Sequence, residues 1–244
     1  MKFLLQVAFI AISLTQTVAI VNQSVVGFWP FTDLTGINDV SGNEFHGETY
    51  NNAQLDTNVT GPFGVLGTAY TLSSANSAIF IRHPELFFLD KDFTIALMVK
   101  WTSGMGPLME HVRNDFNNVG SWMGFHVWAN HPSNERIFVN TLSTQSTSAP
   151  CSQGVWHNVW IIYTVSNSTV HLYCDSNLVL DPILVNYPSG NSGYAIGWRG
   201  GSSTSLQGQF SCYSIFSSAF DLQDRTRLRA ICNQGLFTIN FFFT

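Results

Sequence analysis

The segment Phe93-Thr94-Ile95-Ala96-Leu97-Met98-Val99-Lys100-Trp101 limits the possible folds most, because its side chains alternate with a period of two. Phe93, Ile95, Leu97, Val99 and Trp101 fall on one face and Thr94, Ala96, Met98 and Lys100 on the other, the pattern of a half-buried strand. Segments 157–165 and 169–174 repeat the theme on either side of the polar break Ser166–Ser168, as a β-hairpin requires. Further short apolar runs, among them Ser77–His83, Gly124–Asn130, Arg136–Leu142, Tyr194–Trp198 and Gly208–Phe216, are separated by Gly, Asn, Ser or Pro. Short strands and turns at this frequency predict an all-β sandwich or jelly roll in one domain. One stretch breaks the pattern: Asp221 stands as an N-cap with Asp224 three residues on, and Arg225, Arg227 and Arg229 follow toward the C-terminal end of a short closing helix. Residues 51–67 and 143–154 read as long surface loops, and no internal repeat is visible.

The N-terminus has a different character. Lys2 precedes an apolar run from Phe3 to Leu14, and Thr17-Val18-Ala19 offers small residues for cleavage, so residues 1–19 read as a secretory signal peptide. No later segment approaches the roughly 18 apolar residues of a membrane span. The closing Leu236–Thr244 run is apolar but short, which gives a domain over 20–233 and an apolar tail over 234–244. An exported chain meets an oxidising compartment, where the four cysteines, Cys151, Cys174, Cys212 and Cys232, favour two disulfides over free thiols. They contain no C-x-x-C, which argues against a zinc site. Sequons at Asn22, Asn58 and Asn167 are candidate glycosylation sites. With only 10% charged residues and a net charge of −5, the chain is neither disordered nor built for nucleic acid.

Five motifs in order carry a resemblance. They are the aromatic segment Val25–Gly47 with its Asp39-Val40-Ser41-Gly42-Asn43 turn, the Asp92–Trp101 strand, the hairpin Gly154–Leu180 with Trp156-His157, the Tyr194–Trp198 strand, and Leu206–Asp224. Together they resemble the laminin-G-like, pentraxin-like group of the concanavalin-A-like sandwiches. That resemblance implies a concanavalin-A-like β-sandwich (jelly roll) of two antiparallel sheets with a short C-terminal helix. It also implies a disulfide between Cys212 and Cys232 and, with it, one between Cys151 and Cys174; pairing of Cys174 with Cys212 stays open. The departures are specific. Asp175-Ser176-Asn177 replaces the family's Asp-Gly turn, with Asn supplying the left-handed residue, and Gly208 is followed by Gln209-Phe210-Ser211-Cys212 where the family often carries acids. Asp39 and Asn43, with Asn38 and backbone carbonyls, are the candidate ligands of a structural calcium, yet they supply only part of its shell of six to eight oxygens. The turn is therefore read first as chain reversal, and His46 within it as an exposed polar residue.

Function is less legible. Trp101, Trp156, Trp160 and Trp198 read as packing residues, whereas Trp122 and Trp128 are the candidates to stack on a sugar ring. His126 and His131 have no carboxylates around them and read as ordinary strand or surface residues. Retaining glycoside cleavage needs two carboxyl groups about 5–5.5 Å apart. The i, i+2 pair Asp90 and Asp92 lies at the start of a strand rather than in it, and reads as a polar turn. No G-x-S-x-G elbow, H-E-x-x-H or phosphate loop is present. The expectation is a secreted, non-catalytic binding or adhesion module that recognises an extracellular glycan or protein through loops at one end of the sandwich. A hydrolase on the same fold and a structural matrix component are the alternatives.

Overall fold

The computed structural model describes residues 25–62, 64, 69–82, 91–113, 122–130, 135–141, 146–182, 192–198 and 204–234. The expected signal peptide, Asn22, Asp90, His131 and the tail from residue 235 lie outside them. Among the described residues two antiparallel sheets stack face to face. The first runs β13 (Asn177–Pro182), β12 (Thr169–Cys174), β11 (His157–Thr164), β6 (Phe93–Gly104), β15 (Leu206–Phe216), β4 (Tyr70–Leu72) and β3 (Ala53–Leu55), with β1 (Val25–Trp29) also paired to β15. The second runs β10 (Ser146–Pro150), β9 (Arg136–Thr141), β8 (Trp122–Ala129), β7 (Gly106–Arg113), β14 (Ser192–Ile196), β5 (Ala78–Arg82) and β2 (Gly47–Tyr50). Among the described residues a single helix, α1 (Leu222–Gln234), follows β15.

The alternation of β6 builds the main core. Phe93, Ile95, Leu97, Val99 and Trp101 meet Phe125, Val127, Ile137 and Val139 of the opposite sheet, all with almost no exposure. Burying each such side chain contributes roughly 1.5–3 kcal/mol. The connection from β6 to β7 passes from one sheet to the other at Gly104, whose φ of +80° and close approach to the Ser205 carbonyl leave no room for a Cβ.

The other face of β6 is not solvent-facing, which corrects the half-buried expectation. Ala96 and Met98 are buried with Phe28, Trp160, Ile162 and Phe216 beneath Phe220, Leu228 and Ile231. The helix thus forms a third layer on the outside of the first sheet, over a second small core. It starts where the sequence places it: Asp224 N–H donates to Asp221 Oδ1 at 2.8 Å and Asp221 N–H to Asp224 Oδ2 at 3.3 Å, a reciprocal cap. It runs on to Gln234, however, so its last turn holds no basic residue and the arginines occupy its first two and a half turns. They do not serve the helix dipole. The loops expected at 51–67 and 143–154 contain the short strands β3 and β10, whose few polar residues give little sequence signal.

Both disulfides tie outer elements to the sandwich. Cys151–Cys174 joins the segment after β10 to the end of β12, with Cα atoms 5.8 Å apart, and Cys212–Cys232 joins β15 to α1 at 5.9 Å. These are the two pairs that the family resemblance implies. Cys212 sits in a bulge, with φ +47° and a register shift between Ser211 and Ser214. The bulge turns Cys212 to the helix side while Phe210 and Tyr213 stay in the main core.

A candidate binding groove between the helix and the outer sheet face

The Asp39 turn is a hydrogen-bond hub. Its carboxylate is buried and accepts four donors: Phe28 N–H and Ser41 N–H at 2.8 Å on Oδ1, Ser41 Oγ–H at 2.7 Å and Phe45 N–H at 3.1 Å on Oδ2. Asn43 gives its amide hydrogens to the carbonyls of Val25 and Val26, and Asp39 N–H donates to His46 Nδ1 at 3.2 Å. Oxygens surrounded by N–H and O–H donors do not fit a calcium shell, which needs those same lone pairs. As placed, Asp39 and Asn43 fasten the turn to β1.

Trp128 does not present an open ring. It is 6% exposed, and its indole N–H donates to Oε2 of the fully buried Glu110 at 2.9 Å, on the outer face of the second sheet. Opposite Glu110 in register stands His126, whose ring lies 5.2 Å from that of Trp128. Trp122 begins β8; its side chain is not among those described. Asp92 Oδ1 accepts Val165 N–H at 2.8 Å and so caps the β11–β12 turn. Asn58 and Asn167 are exposed, each in a turn, as glycan acceptors must be.

Ser152, His157 and Asp175 have the composition of a hydrolytic triad but not its chemistry. His157 Nδ1 lies 2.7 Å from Asp175 Oδ2, while Nε2 lies 2.7 Å from the Ser152 carbonyl and 3.4 Å from Ser152 Oγ. Satisfying the carbonyl requires a hydrogen on Nε2, the nitrogen that a general base needs free. His157 is a clip between the start of β11 and the β12–β13 turn.

That clip helps shape a groove that sequence reasoning did not find. An open concavity of ≈ 580 Å³ lies between α1 and the outer face of β11 and β12. Its floor is the cross-strand pair Trp160 and Tyr173, the first buried and the second half-buried. One wall is the helix stripe Leu222, Arg225, Thr226 and Arg229, whose i, i+3, i+4, i+7 spacing puts them on one face. Leu222 forms a lip that is 71% exposed. The end wall is the two-residue turn between Cys174 and Asn177. Here Asp175, not Asn177, takes the left-handed conformation, at φ +54°. Its carboxylate compensates by holding Asn158 N–H at 2.9 Å as well as His157.

The polar groups of the groove are only partly used. The Arg225 guanidinium stacks 4.0 Å above the Tyr173 ring, and its Nε–H donates weakly to the Asp221 carbonyl at 3.4 Å. Arg229 is exposed and makes no hydrogen bond or ion pair among the described residues. Asn158 lines the groove, and its Oδ1 is buried without a partner. His171, on the Tyr173 face of β12, has its pKa lowered by desolvation first and by the Arg225 charge second.

Two antiparallel sheets stacked face to face, with a helix laid over one outer face and an open groove beside it, describe a β-sandwich of the jelly-roll class. Residues 72–224 match the family model described as concanavalin A-like lectin/glucanases superfamily, and the chain belongs to that superfamily. No curated protein sequence matches it. Similar solved structures include that of botulinum neurotoxin type C, which depends upon interaction with two ganglioside molecules to get into cells (TM-score 0.63, 15% identity, 88% of this chain and 52% of that one). The serotype D ligand binding domain in complex with N-acetylneuraminic acid is similar too (TM-score 0.63, 14% identity, 90% of this chain and 52% of that one). So is the binding domain of botulinum neurotoxin DC in complex with rat synaptotagmin II (TM-score 0.58, 14% identity, 88% and 52%). This chain spans about half the length of those structures, and at such identities the likeness is one of fold.

Proposed function

We propose that the protein is a secreted, glycosylated, non-catalytic binding module whose ligand, an extracellular glycan or protein, docks in the groove between α1 and β11–β12. The groove itself carries this reading: an open cleft of ≈ 580 Å³, floored by aromatic rings and walled by hydrogen-bonding groups that the fold leaves unspent. Two disulfides suit an oxidising compartment. The neurotoxin structures support the breadth of the reading, because sandwiches of this shape occur there in proteins that engage gangliosides, N-acetylneuraminic acid and rat synaptotagmin II. Recognition on the face beside a helix differs from the loop-end recognition expected from sequence.

The test is capture on arrays of glycans and extracellular proteins by the chain purified from the medium of a secreting eukaryotic culture, run with calcium and again with chelator. A glycosidase mass shift on the same material reports whether Asn58 and Asn167 carry glycans. The groove is expected to be filled by Thr226→Trp, since Thr226 is exposed on its helix wall, and capture should then be abolished with folding intact. Capture that survives this change would put the ligand elsewhere. No captured ligand at all, or release of cleaved sugars, would end the reading.

A further inference from the structure

We infer that the groove accepts an acidic saccharide, a sugar ring bearing one carboxylate or sulfate, and this rests on the binding reading above. The groups in the groove call for three different properties in one ligand. Arg225 and Arg229 stand one helical turn apart, with every N–H of Arg229 and all but the Nε–H of Arg225 unengaged among the described residues. They form a cationic wall on a chain whose net charge is −5. Planar guanidinium forks of this kind match a carboxylate or sulfate.

Opposite them stands a negative group, which limits how much charge the ligand carries. The Asp175 side chain is 45% exposed; Oδ1 accepts Asn158 N–H and Oδ2 lies 2.7 Å from His157 Nδ1, which leaves lone pairs toward solvent. A polyanion or a run of acidic residues meets repulsion there, whereas a hydroxyl is a welcome donor. Asn158 also lines the groove; its Oδ1 is buried without a partner, and a ligand donor reaches it once the amide turns toward the groove. Trp160 and Tyr173 supply the apolar base of the groove, and because Arg225 is stacked on the Tyr173 ring, the C–H groups of a pyranose meet ring edges there rather than an open face. One anionic group, several hydroxyl donors and an apolar face describe an acidic sugar. The concavity is in the size range of small-molecule sites, about 300–1,000 Å³.

The discriminating experiment is titration calorimetry of the secreted chain with 3′-sialyllactose, with lactose 6-sulfate and with lactose. These share a disaccharide core and differ in the anionic group. Both acidic sugars, or one of them, should bind about tenfold or more tightly than lactose, and the difference between the two identifies whether carboxylate or sulfate is preferred. Arg225→Gln and Arg229→Gln should each weaken the acidic sugar about tenfold and narrow its advantage over lactose by a similar factor. Arg227→Gln removes the same charge from the same helix but outside the groove lining, and should have no effect. Thermal melts verify that the surface variants remain folded.

Equal affinity for all three sugars, abolished by Thr226→Trp, would overturn the acidic specificity and leave the binding reading standing. Equal losses in all three arginine variants would mean attraction by diffuse charge, and would also overturn it. Capture of protein ligands with no affinity for any sugar would remove the saccharide and keep the module. Absence of every ligand would remove both.

Discussion

Asp39 shows how a single carboxylate organises the approach of β1 to the rest of the sandwich. Its two oxygens collect donors from Phe28, Ser41 and Phe45, residues up to 11 positions away, and Val40 N–H completes the clasp on the Phe28 carbonyl at 2.9 Å. Removing an acceptor shared by buried donors leaves them unsatisfied, at about 1–3 kcal/mol for each group. Asp39→Ala is therefore expected to cost roughly 3 kcal/mol or more in chemical denaturation. Chelator should leave the melting temperature of the wild type unchanged, because the lone pairs a calcium ion needs are already taken. A chelator-dependent drop would restore the metal reading of Asp39 and Asn43.

At the scale of elements, the bulge in β15 determines where the helix sits. Strict alternation puts Cys212 on the same face as Phe210, in the main core. The extra residue between Ser211 and Ser214 reverses it, and the disulfide to Cys232 then holds α1 over Met98, Trp160 and Phe216. This bond closes a loop with a sequence separation of 20, worth about 3 kcal/mol by the chain-entropy account. The double variant Cys212→Ser/Cys232→Ser should lose a similar amount of stability by denaturant titration. It should also weaken ligand capture more than Cys151→Ser/Cys174→Ser does, because only the first pair anchors the arginine wall. Equal effects on capture would show that the helix docks by packing alone.

For the whole molecule, groups with shifted titration bound the pH range of full stability. Desolvation, and next the Arg225 charge, lowers the pKa of His171. As pH falls below the ordinary histidine value of about 6.5, the unfolded chain takes up a proton that the folded chain still refuses, so stability declines until the lower folded value is passed. Tyr194 and Tyr213 are fully buried, and desolvation pushes both well above the ordinary tyrosine value, with the Tyr213 charge adding to the effect on Tyr194. Above about pH 10 the unfolded chain loses phenolic protons that the folded chain retains, and stability declines again. Melting temperature should thus be flat between these limits and fall on both sides. His171→Gln should shallow the acid limb and Tyr213→Phe the alkaline one; limbs unchanged by both variants would remove these groups as the cause.

The period-two pattern of residues 93–101, the polar break at 166–168 and the Asp221/Asp224 cap were sufficient to locate the central strands, the hairpin and the helix. Each is a local preference, readable from a few neighbouring residues. The same alternation did not tell that Ala96 and Met98 lie beneath a helix, since a strand pattern records which residues share a face and not what covers it. Nor did it reveal Trp128 against Glu110, or Asp175 rather than Asn177 in the left-handed position of the turn. The groove was the least legible part. Arg225 and Arg229 meet Tyr173 and Asn158 only because β11 and β12 extend the sheet past β6 while β15 and its bulge deliver α1 across them. Sequence alone determined the central strands, the helix start and the all-β class through local hydrogen bonding and side-chain period. Tertiary structure alone decided the site, because its residues are brought together by strand order and by one inverted cysteine, neither of which is encoded in any single stretch of the chain.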